Sequence, residues 1–370
     1  MCHAYIFIHV LSAFTLTPSQ RWLIGMLLVV LLVGTLLAIP FVNALPRAQG
    51  AVLAWLTYPW LGVVLLLVTM CAVADVIWLL SKGAAILTNI KGVGHRPLSQ
   101  IAFGIAGVGC LASLFINAQP AVVKNVTIGI QDLPTSFEGM RIVQLTDLHV
   151  GPMNDGVWLS HIVAEVEALA PDMIVLTGDL VDGSVAHLSE HVLPLMRLKA
   201  KYGVHFVTGN HEYYSGVDAW CAHLKRLNIN VLRNMCVQIT SDAGHVLNLV
   251  GVEDWGARHM RGAEGPDLQK ALKGAQPNAP FILLAHQPAA IHEAAAVGVD
   301  LQLSGHTHGG QIWPFSYLVY LQQPYVQGHY VYPESKTQIY ISPGTGFWGP
   351  PMRLGTHAEV SVITLKRASS

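Results

Sequence analysis

The sequence predicts an α/β fold, strands alternating with helices, preceded by a membrane-spanning helical region. Three observations carry this. Apolar runs of about 20 residues, the length a spanning helix needs, crowd the first third of the chain. Beyond residue 120, short apolar runs closed by turn residues alternate with amphipathic stretches, the pattern of strands joined by crossover helices. The charges divide as well: residues 1–120 hold five Lys/Arg and one acid, Asp75, whereas the remaining 250 hold 16 Lys/Arg and 21 Asp/Glu. A membrane region at 1–120 and a mildly acidic soluble domain at 121–370 follow.

The chain of 370 residues is 52% apolar and 12% charged, against about 25% charged for a soluble domain. No basic face is evident, so a nucleic-acid partner is not expected. Residues 22–42, 51–80 and 98–118 each read as a span, and the shorter apolar stretch 4–16 is either a fourth span or an interfacial lead-in. The expected partner of this region is the lipid bilayer. The connector 81–100 carries Lys82, Lys91 and Arg96, which places it in the cytoplasm and the soluble domain on the opposite, extracytoplasmic side. Asp75 lies inside an apolar run, where it either meets a polar partner in the bundle or sits near a helix end. Cys221 and Cys236 either pair in an exported domain or remain as two free thiols.

In the soluble part, strands are expected at 122–130, 141–146, 173–177, 204–208, 230–232, 247–252, 281–285, 301–304, 339–342 and 358–365. Helices are expected at 158–169, 187–198, 219–227 and around 268–272. The later strands follow one another closely and suggest a second, mixed sheet.

Five segments share one build, an apolar run, a sharp turn and a metal-type ligand: MRIVQLTDLHV, PDMIVLTGDLVD, GVHFVTGNHE, FILLAHQP and DLQLSGHTHGG. Open α/β sheets place their sites just past strand carboxyl ends. The residues there are Asp147, His149, Asp179, Asn210, His286, His306 and His308. Asp147 and His149 stand at i and i+2, as do His306 and His308, a spacing that returns two side chains to one side of a strand end. Imidazole with carboxylate suits Mn, Zn or Fe. Seven such ligands hold two divalent ions, with the Asp179 carboxylate between them, and leave positions for water and substrate. A pair of ions roughly 3.5–4 Å apart activates water and clamps phosphoryl oxygens. His211 is placed to protonate a leaving oxygen, with Glu212 expected to orient it.

The blocks Asp147-Leu-His149, Gly178-Asp179-Leu-Val-Asp182, Gly209-Asn210-His211-Glu212, His286 and Gly305-His306-Thr-His308 resemble those of the calcineurin-like metallophosphoesterase superfamily across roughly residues 138–365. The resemblance implies a two-sheet α/β/β/α sandwich. It implies Asp147, His149, Asp179 and His308 around one ion, Asp179, Asn210, His286 and His306 around the other, and His211 as the catalytic histidine. Glu212 stands where the family often has Asp, and Gly183 stands where the protein serine/threonine phosphatases carry arginine. The finer pattern GNHEYYSG, GVED and SGHTHGGQIWPF is similar to a bacterial membrane-attached branch, some members of which resemble UDP-2,3-diacylglucosamine hydrolases. That implies a multi-pass protein of a bacterial inner, or cytoplasmic, membrane. Residues 312–332, with five Tyr, one Trp and one Phe, either rim a lipid-accessible groove for an amphiphilic phosphorylated substrate or form an aromatic core loop. Tyr213, Tyr214, Asp254 and Arg353 are candidate cleft residues. The reading is a membrane-anchored metal-dependent phosphoesterase. The competing classes are a non-catalytic metal-bound scaffold and a transporter with a soluble appendage.

Overall fold

The computed structural model describes residues 1–42, 44–88, 91–260 and 263–368. The chain divides into two compact units, one of Met1–Gln119 with Gly349–Leu354, the other of Pro120–Trp348 with Gly355–Ser370.

The first unit is built from α1 (Cys2–Ala13), α2 (Pro18–Phe41), α3 (Arg47–Thr88) and α4 (His95–Asn117). Thr17 and Gln20 close a capping box at the start of α2, with Pro18 in the first turn. Three helices, α2 to α4, are long and apolar enough to cross a membrane. The 12 residues of α1 reach only about 18 Å, short of a hydrocarbon core of about 30 Å. The stretch 4–16 is therefore a short apolar helix beside three long ones. The 42 residues of α3 rise about 63 Å, twice that core. It runs past the expected span 51–80 at both ends, because alanine, leucine and lysine continue a helix where hydropathy no longer marks one. Much of the expected connector 81–100 is thus helical; its residues 89 and 90 lie outside the described residues.

The second unit runs β1 (Val122–Ile130), β2 (Arg141–Leu145), α5 (Gly156–Leu169), β3 (Met173–Thr177), α6 (Val185–Val192), β4 (Val204–Val207), α7 (Asn210–Ser215), α8 (Val217–Arg226), β5 (Asn230–Val231), β6 (Met235–Thr240) and β7 (Val246–Gly251). It continues with α9 (Leu268–Ala271), β8 (Phe281–Leu284), α10 (Ile291–Ala296), β9 (Leu301–Ser304), α11 (Phe315–Val319), β10 (Gly328–Val331), β11 (Gln338–Ile341) and β12 (Glu359–Arg367). One sheet has the order β1-β12-β2-β3-β4-β5 and the other β10-β11-β9-β8-β7-β6. In the first, β2 to β5 run parallel; in the second, β7, β8, β9 and β11 do.

Strand alternation explains the layers. Ile142, Met173 and Val175 pack with Leu249, Ile282 and Leu303 of the opposite sheet, while Val143, Ile174 and Leu176 turn outward onto Leu159, Val163 and Trp220 of α5 and α8. Val250, Leu283 and Ile339 turn outward onto Ile291 and Ala294 of α10. Strands covered on both faces need apolar residues at every position, which is why VLT and FILL read as runs. The result is the α/β/β/α sandwich.

Among the departures from expectation, α7, α10 and α11 are helices not expected and α8 begins two residues early, and two further helices differ for local reasons. Asp155 accepts from the amides of Val157 and Trp158 and starts α5 at Gly156, two residues before the apolar periodicity shows it. The helix expected over 187–198 ends at Val192 and continues as a 3-10 turn over Leu193–Arg197. Pro194 has no N–H for an α-helical bond.

Candidate metal centre

Each ligand-bearing turn follows a parallel strand. Asp147 and His149 follow β2, Asp179 follows β3, Asn210 opens α7 after β4, His286 follows β8, and His306 and His308 follow β9. The chain turns so sharply that Asp147, His149, Asp179, His306 and His308 all hold positive φ, between 45° and 69°. Such backbone is costly for non-glycine residues and persists where surrounding structure over-determines it. The glycines here answer a different need. Gly178 does have φ +91°, but Gly209 and Gly305 serve by having no side chain. A Cβ on Gly209 would lie 2.2 Å from Asp179 Oδ1, and one on Gly305 would lie 2.3 Å from Asp147 Oδ2.

The turns gather ligand atoms into groups. Asp147, His149 and His308 form one, Asp179, His286 and His306 another, and His149, Asp179 and His211 a third between them. His308 Nε2 is 3.4 Å from Asp147 Oδ1 and 3.1 Å from His149 Nε2. Asp179 Oδ2 is 3.1 Å from His286 Nε2 and 3.9 Å from His149 Nε2, so one carboxylate oxygen faces both sides. Two observations fit cations. Imidazole nitrogens of His149 and His308 confront each other at a ligand–ligand spacing. Asn210 Oδ1, the one Asn210 atom suited to a metal, is buried without a hydrogen-bond partner, which costs free energy unless something else binds it. These His/Asp clusters are those of a dinuclear centre.

Hydrogen bonds outside the ligand set fix their orientation. His286 Nδ1 donates to the Thr177 carbonyl at 2.7 Å, which turns Nε2 inward. Asp147 accepts from Thr146 Oγ1 at 2.8 Å and from the His306 amide at 3.0 Å. Asp179 Oδ1 accepts from the His211 amide at 2.9 Å. Gln144 donates to Thr177 Oγ1 and the Ser304 carbonyl, joining strand ends across the two sheets.

Glu212 does something other than orient the His211 ring. Its carboxylate accepts from the amides of Gly209, Asp179, Leu180 and Val181, at 2.7 to 3.3 Å. The ring is held instead by Asp182, whose Oδ1 lies 2.6 Å from His211 Nδ1 and 2.9 Å from His149 Nδ1. One carboxylate therefore sets the rings of both His149 and His211. His211 Nε2 stands 3.9 Å from Asp179 Oδ2.

The side chains alone create a steep electrostatic pattern. Burial works against the His211 imidazolium, but the Asp179 and Asp182 carboxylates outweigh it and lift its pKa to about 10. Burial, then positive charge on His286, pushes His306 down to about 3. Burial, then the Asp179 charge, raises Glu212 to about 7. Burial opposes the Asp179 carboxylate, yet His286 and His211 hold its pKa well below the usual range.

Around His211 stand two exposed aromatic rings, Tyr214 at 5.4 Å and Trp348 at 6.1 Å between centroids. Trp348 carries no motif. It comes from a Pro/Gly-rich loop and is fixed by Gln311, whose amide donates to the Trp348 carbonyl and accepts from its N–H. Trp313, Phe315, Tyr317, Leu318, Tyr320 and Leu321 are also exposed, so the first half of 312–332 is a surface, whereas Tyr325, Tyr330 and Tyr332 pack against the core beneath α10. Tyr213 turns toward Thr208 Oγ1 at 3.3 Å. Asp254 is buried and accepts from the Gly256 amide and Gln287. Arg353 is fully buried and groups with the amino-terminal unit. Cys221 and Cys236 are free thiols.

Residues 140–310 match the family model described as calcineurin-like phosphoesterase. A bovine transmembrane protein with metallophosphoesterase domain is 39% identical over 301 residues, covering 79% of this chain and 67% of that one. Its zebrafish namesake is 35% identical over 365 residues, 95% of this chain and 82% of that one. An uncharacterized metallophosphoesterase of Helicobacter pylori is 43% identical over 227 residues, 61% and 60% of the two chains. Paired sheets, ligands at their parallel strand ends and these relatives converge on one assignment: the chain belongs to the calcineurin-like phosphoesterases and is a metal-dependent hydrolase with apolar helices before its sandwich.

Proposed function

We propose that the chain hydrolyses a phosphoester or pyrophosphate bond in an amphiphilic substrate, lipid-linked or nucleotide-linked, held at a bilayer surface. The observation that carries this is the exposed aromatic rim. Tyr214 and Trp348 flank His211, and the neighbouring segment exposes Phe315, Tyr317, Leu318 and Leu321. Exposed large apolar groups gathered in this way mark lipid or ligand contact. In a chain with three helices fit to span a membrane, an amphiphile is the substrate that such a rim suits.

In this reading residues 1–120 are the anchor and residues 121–370 the catalytic domain. Asp147, His149, Asp179 and His308 would hold one divalent ion; Asp179, Asn210, His286 and His306 would hold the second. Mn, Zn and Fe all suit the donors. When bound, the pair supplies an activated water and neutralises charge on the phosphoryl oxygens. The protein's own part is proton management and placement. Asp182 fixes Nδ1 of His211 and so aims Nε2 at the substrate, where it donates a proton to the departing oxygen. Glu212 holds the backbone that carries Asp179 and Asn210. Trp348 and Tyr214 give the apolar portion of a substrate a surface to lie against.

The basic residues Lys82, Lys91 and Arg96 support a cytoplasmic connector and an extracytoplasmic catalytic domain in a bacterial inner membrane. Such a domain would not meet a cytoplasmic nucleotide-linked lipid A precursor, which sets the UDP-2,3-diacylglucosamine reading below other amphiphilic phosphoesters. The test is phosphorus-31 detection of hydrolysis across membrane phospholipids and nucleotide-linked lipids, using the full chain in bilayer discs with His211→Ala as control. Turnover of lipid-linked phosphate in preference to a soluble aryl phosphoester is expected. Soluble esters cleaved as well as lipid ones would overturn the substrate class. Equal turnover by the His211→Ala chain would overturn the role given to that residue.

A further inference from the structure

We propose that His9, Asp75 and His95 form a third metal site, in the helical unit, holding one divalent transition-metal ion such as zinc. The three residues come from three helices: His9 from α1, Asp75 from the interior of α3, and His95 from the first turn of α4. His9 Nε2 lies 3.2 Å from Asp75 Oδ2, and His95 Nε2 lies 2.8 Å from Asp75 Oδ1. The three ligand atoms are all within 4.8 Å of one another. Tetrahedral zinc with bonds of about 2.0–2.1 Å sets neighbouring ligands about 3.3 Å apart, so small adjustments close the shell.

The second nitrogen of each imidazole supports this. His9 Nδ1 is 3.1 Å from Ser99 Oγ, and His95 Nδ1 is 2.7 Å from Ser12 Oγ. Metal-ligating histidines characteristically give their other ring N–H to such an oxygen, which leaves the inward nitrogen with its lone pair. Here both inward nitrogens face one carboxylate, from its two different oxygens. Three groups aimed at a common centre suit a cation, which would replace the protons that otherwise bridge each imidazole to the carboxylate. Two imidazoles with one carboxylate select zinc-like ions over magnesium or calcium, which take oxygen ligands. The Tyr5 hydroxyl donates to Asp75 Oδ2 and fixes the carboxylate from outside, and the fourth position is left to water.

The surroundings are built rather than adventitious. His9 and Ser99 are nearly inaccessible, at 2% and 0% exposure. Trp78 packs edge-on against His95 at 5.2 Å. Arg96 reaches back to the Ala13 carbonyl and Thr15 Oγ1, so His9 and His95 lie near helix ends, and the His95 and Asp75 side chains are part-exposed, at 27% and 31%. The metal ties α1, too short to span a membrane by itself, to α3 and α4. This inference is independent of the phosphoesterase reading, because none of its residues belongs to the sandwich.

Metal counting by plasma mass spectrometry on the full chain in detergent tests it. The native chain loaded with zinc should hold three ions, falling to two with His95→Ala or Asp75→Asn. A chain stripped of the sandwich ligands by His149→Ala, Asp179→Asn and His286→Ala should keep one. Cobalt added to that stripped chain should give the visible absorption of a tetrahedral site, and His9→Ala should remove it. Ser99→Ala, which keeps all three ligands, should weaken binding about tenfold and serves if the ligand variants misfold. A stripped chain without bound metal, or a count unmoved by His95→Ala and Ser99→Ala, would overturn the proposal and leave a cluster that holds protons alone.

Discussion

Both units gather histidine and aspartate around a point, but by opposite means. In the sandwich, five candidate ligand residues sit in left-handed backbone at the tips of buried strands, only Arg141 at the start of β2 being part-exposed. In the helical unit, His9, Asp75 and His95 lie in ordinary helix, and no described non-glycine residue there has positive φ. The strands pay a local conformational cost that the packed sheets enforce. The helices pay none, and their polar groups meet only where three separate rods come together. The difference teaches that the sandwich site is pre-set by its backbone, whereas the helical cluster depends on packing between elements. Substitutions that leave side-chain chemistry untouched should therefore damage the first far more than the second.

The sharpest way to break this comparison is a single methyl group. Gly209→Ala puts a Cβ onto Asp179 Oδ1 and should cost metal binding and activity by about 100-fold or more, since overpacking a rigid site costs roughly 1–3 kcal/mol and displaces a ligand. Gly104→Ala in α4, with nothing within 4 Å of its new Cβ, should leave metal content and activity unchanged and melting no lower, since alanine favours helix over glycine. Equal effects of the two would remove the distinction. Next in size is His211→Ala, expected to lower kcat by about 10²–10⁴ with both sandwich ions retained by mass spectrometry. Asp182→Asn, which loosens His211 and His149 together, should lower kcat by about 10–100-fold and also weaken the ion held by His149.

Smaller again is Glu212→Gln. A carboxamide cannot replace a carboxylate that accepts four amides, so unfolding should come about 1–3 kcal/mol sooner in denaturant. A purely catalytic role would change kcat and leave the denaturation midpoint in place. The smallest effect concerns Cys221. Burial pushes its thiol up to about 11, above the ordinary 9.0. The folded state therefore holds a proton that the unfolded state gives up, and its contribution to stability is present below pH 9 and lost as pH rises toward 11. Native Cys221 should resist maleimide at pH 8 and label rapidly after denaturation. Rapid native labelling would show that this part of the sandwich opens.

The sequence made the candidate ligand residues visible because each follows a short, mostly apolar strand, and because the i, i+2 pairs are unusual after such runs. Strand–helix alternation and a second, mixed sheet were legible from the same runs, whereas the α/β/β/α layering was implied by the family resemblance of the blocks. Other features had no local signal. The bond from Asp182 to two histidines depends on where three loops meet. Glu212 looked like a partner for the adjacent ring, whereas its carboxylate folds back onto amides. Trp348 reaches His211 from a loop 137 positions away in number, 211 to 348. His9 and His95 were single residues in or beside apolar stretches, and only the packing of α1 against α3 and α4 brings them to Asp75. Helix ends in the first unit were obscured because hydropathy reports lipid exposure, and α3 extends beyond any plausible bilayer.

The four amides gathered on Glu212 have an implication for how this scaffold can diversify. They bolt the loops after β3 and β4 into one tile, so a change that shifts Asp179 drags Asn210 with it. The floor of the cleft is thereby closed to gradual remodelling. Trp348 hangs from a single glutamine clasp and Tyr214 projects from a six-residue helix. New specificities would arise by swapping these wall pieces while the floor stays as it is.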